Sequence, residues 1–287
     1  MNIEISNVVK KYGILTVLDV EELTFKSGHS YGIVGPNGSG KTTLFKCITN
    51  IITDYSGTVL IDGRDVREVN EILLSVGIVL DGMSVYENQT GLFNIEYFSK
   101  LRGEYNSEFA LELARELELE DVLKRQVRTY SYGMIKKLIL LIALLHEPKI
   151  LILDEPFRGL DAETVSWFKK YLKKLTDKGM TLLISSHVKE DIVSLCEEVV
   201  VIKKGQIDNQ INLAEFQEKL IRDVVTTNQD GFIAILEATN YYYQVRSTGI
   251  RVNIRDERWK SVKDQLDQQG IDITSLAIVH ILDNKMN

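Results

Sequence analysis

The sequence predicts an α/β fold with a mostly parallel sheet, an antiparallel β piece and a small α+β domain at the C-terminal end. Three observations predict it. Strand-like runs such as 150–153 and 199–202 are apolar without alternation, the pattern of strands buried on both faces. They alternate along the chain with amphipathic stretches of helical period. After Gly205 the composition turns polar and this rhythm changes.

The elements follow in order. Strand signals fall at 31–34, 58–61, 76–80, 150–153, 181–184 and 199–202. Ser56-Gly57 and Asp62-Gly63 bracket 58–61 and mark it as a short antiparallel piece. Helical signals fall at 41–49, 107–118, 131–145 and 162–176. In the second of these, Ala110, Leu113, Ala114 and Leu117 recur at i, i+3, i+4 and i+7, which makes one apolar stripe. Beyond Gly205, strands are expected at 231–236, 241–246, 252–254 and 272–279, with a helix at 257–268. The 287 residues thus divide into an expected larger domain at 1–205 and a small accessory domain at 206–287.

Composition narrows the class. With 44% hydrophobic and 26% charged residues the chain reads as globular rather than disordered. Asp and Glu number 41 against 34 Lys and Arg, a net charge of −7, and this acidic balance speaks against a duplex-binding protein. Cys47 and Cys196 belong to no C-x-x-C pair, so no thiolate metal site is expected, and their scarcity fits a reducing compartment. The N-terminus shows no apolar stretch after a basic start, so no secretory signal is expected. The longest apolar run, 138–145, falls far short of the ~20 residues of a spanning helix. Any membrane role requires a partner.

Two motifs carry chemistry. Gly35-Pro36-Asn37-Gly38-Ser39-Gly40-Lys41-Thr42-Thr43 matches G-x-x-x-x-G-K-[ST] between a strand signal and a helix signal. Its glycines let backbone N–H groups turn inward as a nest for phosphate, and the helix N-terminus adds partial positive charge. Lys41 is suited to the β/γ-phosphates and the Thr42 hydroxyl to Mg²⁺. The apolar run 150–153 leads into Asp154-Glu155-Pro156. A buried strand ending in acids presents them at the carboxyl edge of the sheet, where α/β ligand sites lie. Asp154 fits the metal-holding role, and Glu155 fits a general base for an attacking water.

A third group of residues is specific to one family. Tyr130-Ser131-Tyr132-Gly133-Met134 precedes the acid-ended strand and opens an apolar helix. Gly159-Leu160-Asp161 follows it, Ser185-Ser186-His187 ends the next strand, and Lys11-Tyr12-Gly13 lies near the start. In this order, with the phosphate loop, the chain over about 1–205 resembles the ATP-binding-cassette (ABC) transporter ATPases, in the form of bacterial exporters of antimicrobial peptides or drugs. The resemblance implies a P-loop ATPase core with a helical subdomain at about 90–145. It implies that Tyr12 stacks on adenine and His187 contacts the γ-phosphate and orients the water. Ser131, Gly133 and Asp161 would act on nucleotide across a dimer of nucleotide-binding subunits, homo- or heteromeric. ATP and Mg²⁺ are the implied ligands. A separately encoded transmembrane permease subunit is the implied partner, with the chain peripheral on the cytoplasmic face of the membrane.

Two positions depart from the family pattern. Counting back from Tyr86-Glu87-Asn88-Gln89-Thr90 puts Asp81 where the family carries its Q-loop glutamine, so Asp81 is a candidate metal ligand with a shorter, charged side chain. Tyr132 stands at the first glycine of the L-S-G-G-Q form, while Gly133 remains. Two rival readings stay open. One is a soluble cassette ATPase acting on nucleic acid or ribosomes. The other is a P-loop kinase or GTPase, although no N-K-x-D guanine motif follows Asp154.

Overall fold

A computed structural model describes residues 1–103, 105–213 and 221–278. The chain divides into two compact units, one from Met1 to Gln210 and one beginning at Ile211.

The first unit holds two sheets. β1 (Ile3–Tyr12) and β2 (Leu15–Phe25) form an antiparallel ribbon, extended by β4 (Ser56–Ile61) and the short β5 (Arg64–Asp65) in the order β2-β1-β4-β5. The expected antiparallel piece at 58–61 is therefore part of a larger sheet. β1 and β2 carried only a weak signal, because their half-buried pattern is broken by a bulge between Lys10 and Lys11 and a left-handed Asn7.

The second sheet runs β10-β9-β3-β8-β7-β6. Its members are β3 (Ser30–Val34), β6 (Val76–Val79), β7 (Ile150–Asp154), β8 (Thr181–Ser185), β9 (Glu198–Lys203) and β10 (Gln206–Asn212). β6–β7, β7–β8, β8–β3 and β3–β9 pair in parallel, as the continuous apolar runs require. β10 carries no strand signal in the sequence, because only Ile207 and Ile211 interrupt its polar, largely exposed run.

α1 (Lys41–Ile48) buries Leu44, Phe45 and Ile48 in a core shared by both sheets, against Ile3, Ile5, Ile33 and Ile150 among others. Full burial of each such side chain stabilises the fold by about 1.5–3 kcal/mol. Three helices lie between β6 and β7 in the chain: α2 (Gly91–Lys100), α3 (Ser107–Glu116) and α4 (Tyr132–Leu144). Thr90, Asn106 and Ser131 cap them by accepting from the N–H groups of Phe93, Phe109 and Met134. α4 is apolar on nearly every side yet only 13 residues long. No helix among the described residues is long and apolar enough to cross a membrane. α5 (Ala162–Asp177) and α6 (Lys189–Leu195) follow β7 and β8.

The second unit has the order β11 (Ile221–Thr226), α7 (Gln229–Ala238), β12 (Gln244–Arg246), β13 (Gly249–Asn253), α8 (Trp259–Gln268) and β14 (Ile273–Ile278). Its sheet is β12-β13-β11-β14 with antiparallel pairing, a β-α-β-β-α-β arrangement. Val224, Ile250 and Val252 from the strands meet Phe232, Ile235 and Leu236 of α7 and Val262 and Leu266 of α8 in one core. The strand expected at 231–236 is thus part of α7. A short apolar run does not by itself separate strand from helix. Here Asn228 caps the helix by accepting from Gly231 N–H, and Phe232, Ile235 and Leu236 fall on one helical face. The expected strand at 241–246 shortens to its last three residues. Val279, the expected end of the last strand, lies outside the described residues.

Candidate functional site

The phosphate loop spans β3 to α1, as the motif requires. At Gly35 the close approach is absolute: a Cβ would lie 2.0 Å from the Ile202 carbonyl oxygen and 2.8 Å from Ser39 Oγ. Gly40 is the N-cap of α1 at φ 110°, a left-handed conformation that only glycine adopts cheaply. Lys41 is buried, and its Nζ donates to the Gly35 carbonyl at 2.7 Å and to the Pro36 carbonyl at 3.1 Å. Burial lowers the Lys41 ammonium from the ordinary lysine value, and Asp154 and Glu155 oppose that shift.

The parallel sheet brings the acids to this loop. Thr42 Oγ1 donates to Asp154 Oδ2 at 2.5 Å, joining residues 112 apart in sequence. Ser185 at the end of β8 donates its hydroxyl to Asp154 Oδ1 and accepts from the Glu155 N–H at 3.1 Å. In the sequence Ser185 stands only as part of the His187 motif, yet in the fold it fixes both acids. Glu155 has φ 49°, a left-handed conformation for a residue with a side chain, of the kind that concentrates at functional sites. Its Oε2 accepts from His187 N–H at 3.3 Å. Its Oε1 lies 3.3 Å from His187 Nε2 but is buried and makes no hydrogen bond with a described residue. Burial pushes the Glu155 carboxyl above the ordinary glutamate value; His187 opposes, and Asp154 adds to the push.

Thr42, Asp154, Glu155, His187 and most of the phosphate loop line one cleft of about 530 Å³. Asn37, Gly38, Ser39, Gly40, Lys41, Thr42 and Thr43 form one wall, and Asp81, Asp154, Glu155 and His187 another. Val17 and Arg158 also line it. Neither carries a signal in the sequence, since Val17 sits mid-strand in β2 and Arg158 lies in no motif between Pro156 and Gly159. A larger groove of about 670 Å³ between α3 and α5 contains none of the motif residues.

Six sequence-selected residues lie outside the lining of this cleft: Gly35 and Pro36, whose carbonyls hold Lys41 Nζ, and Tyr12, Ser131, Gly133 and Asp161. Tyr12 ends β1, 54% exposed, with Lys10 Nζ 4.4 Å from its ring centroid. Ser131, Gly133 and Asp161 belong to a separate cluster. Ser131 caps α4, a Cβ on Gly133 would sit 3.3 Å from the Gly159 carbonyl oxygen, and Gly159 packs against the Tyr132 ring. Asp161 caps α5, accepting from Thr164 N–H and Oγ1 at 2.8 Å each, and these bonds hold its carboxyl down to about 2. Lys137 Nζ reaches Asp161 at 3.5 Å and Glu118 at 3.4 Å, tying α4 to the start of α5.

The donor set suits a small hard cation. Thr42 and Asp154 offer oxygens only, and a buried, unbonded Glu155 oxygen stands nearby. Among the described residues no group of three or more His, Cys, Asp or Glu is arranged to hold a metal alone. Mg²⁺ uses one or two carboxylates and completes its shell with phosphate oxygens and water, and the Thr42 and Asp154 oxygens fit that use.

The model of the ABC transporter family matches residues 18–158. The bacitracin transport ATP-binding protein BcrA of Enterococcus faecalis is 32% identical over 281 residues, covering 96% of this chain and 91% of that protein. The lantibiotic transport ATP-binding protein SrtF of Streptococcus pyogenes is 31% identical over 205 residues, 71% of this chain and 88% of the relative. Among solved structures, the ATP-binding subunit of an ABC transporter superposes with a TM-score of 0.70 at 25% identity, covering 76% of this chain and 92% of that one. A dimeric cassette in a post-hydrolysis state, bound to ADP and Pi, gives a TM-score of 0.68 at 26% identity, covering 74% and 98%. The chain belongs to the ABC transporter family, as an ATP-binding and ATP-hydrolysing subunit.

Proposed function

We propose that this subunit powers the export of antimicrobial peptides or drugs through a separately encoded membrane permease, and that two nucleotide-binding subunits close on ATP to do so. The observation that carries this reading is the division of the site residues. Phosphate loop, Asp154, Glu155 and His187 share one cleft, while Ser131, Gly133 and Asp161 cluster apart from it. A chain carrying two unlike half-sites completes each against the other half of a second copy, an isologous closure. The dimeric solved cassette supports the pairing, and the bacitracin and lantibiotic transport relatives support the cargo class.

In the closed state Lys41 and the loop amides hold the β/γ-phosphates, mostly by position and charge. Tyr12 stacks on adenine. Thr42 and Asp154 would hold Mg²⁺, with Asp81 a further oxygen donor, and the ion would neutralise charge on the phosphates. The free Glu155 Oε1 accepts the proton of the attacking water, and His187 orients that water. Ser131 and the Gly133 N–H, at the N-terminus of α4, bind the γ-phosphate on the opposite subunit.

Support for a permease comes from an exposed aromatic patch just after Asp81. Tyr86, Phe93 and Tyr97 are stacked or edge-packed with one another and remain 49%, 41% and 37% exposed. Such a patch marks a contact surface. Relatives named for transport and a net charge of −7 weigh against the nucleic-acid reading. The test is co-purification from membranes with the neighbouring permease, followed by ATPase assay with bacitracin-like and lantibiotic peptides. Stimulation of hydrolysis by such a peptide supports the reading. Purification of the subunit with ribosomes instead would replace it.

A further inference from the structure

Lys10 is a lysine at a strand position that packs inward. Burial along β1 falls on Ile3 and Ile5, then on Val8 and Lys10, because the left-handed Asn7 shifts the alternation by one residue. Lys10 is thereby only 1% exposed. A buried ammonium is costly unless it is paired, and apolar packing in place of a buried ion pair is often neutral or stabilising. Stability alone is therefore a poor reason for a lysine here, and its contacts indicate what it holds.

Three groups meet the ammonium. Nζ lies 2.6 Å from Asp54 Oδ2, donates to the Asp54 carbonyl at 3.2 Å and stands 4.4 Å from the centroid of the Tyr12 ring. Asp54 lies between α1 and β4, and its side chain is 80% exposed, where an ion pair contributes little by itself. The ring contact is attractive because the face of an aromatic ring is negative. Tyr12 itself remains more than half exposed at the end of β1. That strand end adjoins the cleft. β1 pairs with β2 from Lys10–Leu18 to Tyr12–Leu15, so Val17, which lines the cleft, stands opposite the bulge between Lys10 and Lys11. A Cβ on Gly40 of the phosphate loop would lie 2.9 Å from the Val17 carbonyl oxygen.

We propose that Lys10 is a positioning residue that seats one face of the Tyr12 ring and leaves the other to the base of the nucleotide, with Asp54 fixing the ammonium. The proposal rests on reading Tyr12 as the adenine platform. An exposed tyrosine loses rotamer freedom when it stacks on a ligand, and that loss weakens binding. A ring already seated on a buried cation is ordered before the ligand arrives. Lys10 therefore acts on recognition of the base. The phosphates belong to Lys41 and the loop amides, which Lys10 does not touch.

The test compares the affinity of the full chain for ATP and for inorganic triphosphate, each with Mg²⁺. Triphosphate carries the phosphates without the base. Lys10→Met keeps the length of the side chain and removes its charge. It is expected to weaken ATP binding about three- to tenfold and to leave triphosphate binding at the parent value. Lys10→Arg keeps a cation for the ring and is expected to stay near the parent. Tyr12→Ala is expected to show the same selective loss, and Lys10→Met added to Tyr12→Ala to cause no further change. Equal weakening of both ligands by Lys10→Met would make Lys10 a structural residue and overturn the proposal. So would an unchanged ATP affinity in Lys10→Met beside a weakened one in Tyr12→Ala, or losses that multiply in the double variant. An ATP affinity unmoved by Tyr12→Ala removes the adenine platform itself, and the proposal with it. Should Lys10→Met fail to fold, Asp54→Ala at its exposed site decides: a selective loss of ATP affinity of about twofold is expected, and none contradicts the proposal.

Discussion

Glu155 and His187 meet twice, through the His187 N–H to Oε2 and through Nε2 beside Oε1, each at 3.3 Å. Burial raises the Glu155 carboxyl, and His187 is the largest influence holding it back. A base works in its ionised form, so a raised pKa brings protonation, and loss of hydrolysis, to higher pH than for an ordinary glutamate. Single-turnover hydrolysis should therefore fall on the acid side as pH drops through the raised value. In His187→Ala the opposing influence is gone, so the acid limb should move to higher pH. A limb that stays in place, or moves to lower pH, would separate Glu155 from the rate.

Lys41 points its charge into the phosphate loop from the first turn of α1. Bonds to a charged group contribute about 1.5–3 kcal/mol, so Lys41→Ala should weaken ATP binding roughly 10- to 100-fold. Isothermal titration with ATP and Mg²⁺ reads this directly. An unchanged affinity would remove Lys41 from the site.

Asp161 caps α5 as well as standing beside Lys137. Asp161→Ala removes the cap and should lower stability by about 1 kcal/mol, whereas Asp161→Asn keeps an acceptor for Thr164 N–H and should stay near the parent. Urea unfolding distinguishes them. The depressed carboxyl, near 2, adds a sign. Its stabilising effect is full above the ordinary Asp value and is lost as pH falls toward 2. Equal stability of the alanine and asparagine variants would show the cap to be idle.

Phe232 is fully buried in the core of the second unit. Phe232→Ala should cost that unit about 3–5 kcal/mol. ATP affinity, which belongs to residues of the first unit, should hold. Calorimetry and ATP titration on the same sample check both. A parallel loss of ATP binding would show that the two units do not fold independently.

The site was legible where chemistry demands particular residue types. Gly35, Lys41, Thr42, Asp154, Glu155 and His187 stand in motifs whose spacing is fixed by a strand, a loop and a helix, and the parallel pairing of β3, β7 and β8 brings them together. The parallel strands were legible for a related reason, since burial on both faces leaves only apolar residues. Legibility failed where burial is partial. β1, β2 and β10 mix exposed and buried positions, and the apolar run within α7 satisfied a strand as well as a helix until Asn228 capped it. The bonds of Ser185 to both acids and the place of Arg158 in the cleft are not legible in the sequence. The importance of both residues lies in what they face across the fold, and single-sequence spacing does not encode that.

We propose that each ATP site is completed by a second copy, with Glu155 as the base. Glu155→Gln keeps the shape and removes the base, so hydrolysis should fall by roughly 10²-fold or more while ATP still binds. Light scattering of Glu155→Gln with ATP and Mg²⁺ should show an ATP-dependent dimer. The double variant Glu155→Gln, Ser131→Arg, which puts a bulky cation at the N-terminus of α4, should remain monomeric under the same conditions. Full ATPase activity in Glu155→Gln, or an ATP-dependent dimer indifferent to Ser131→Arg, would contradict the account.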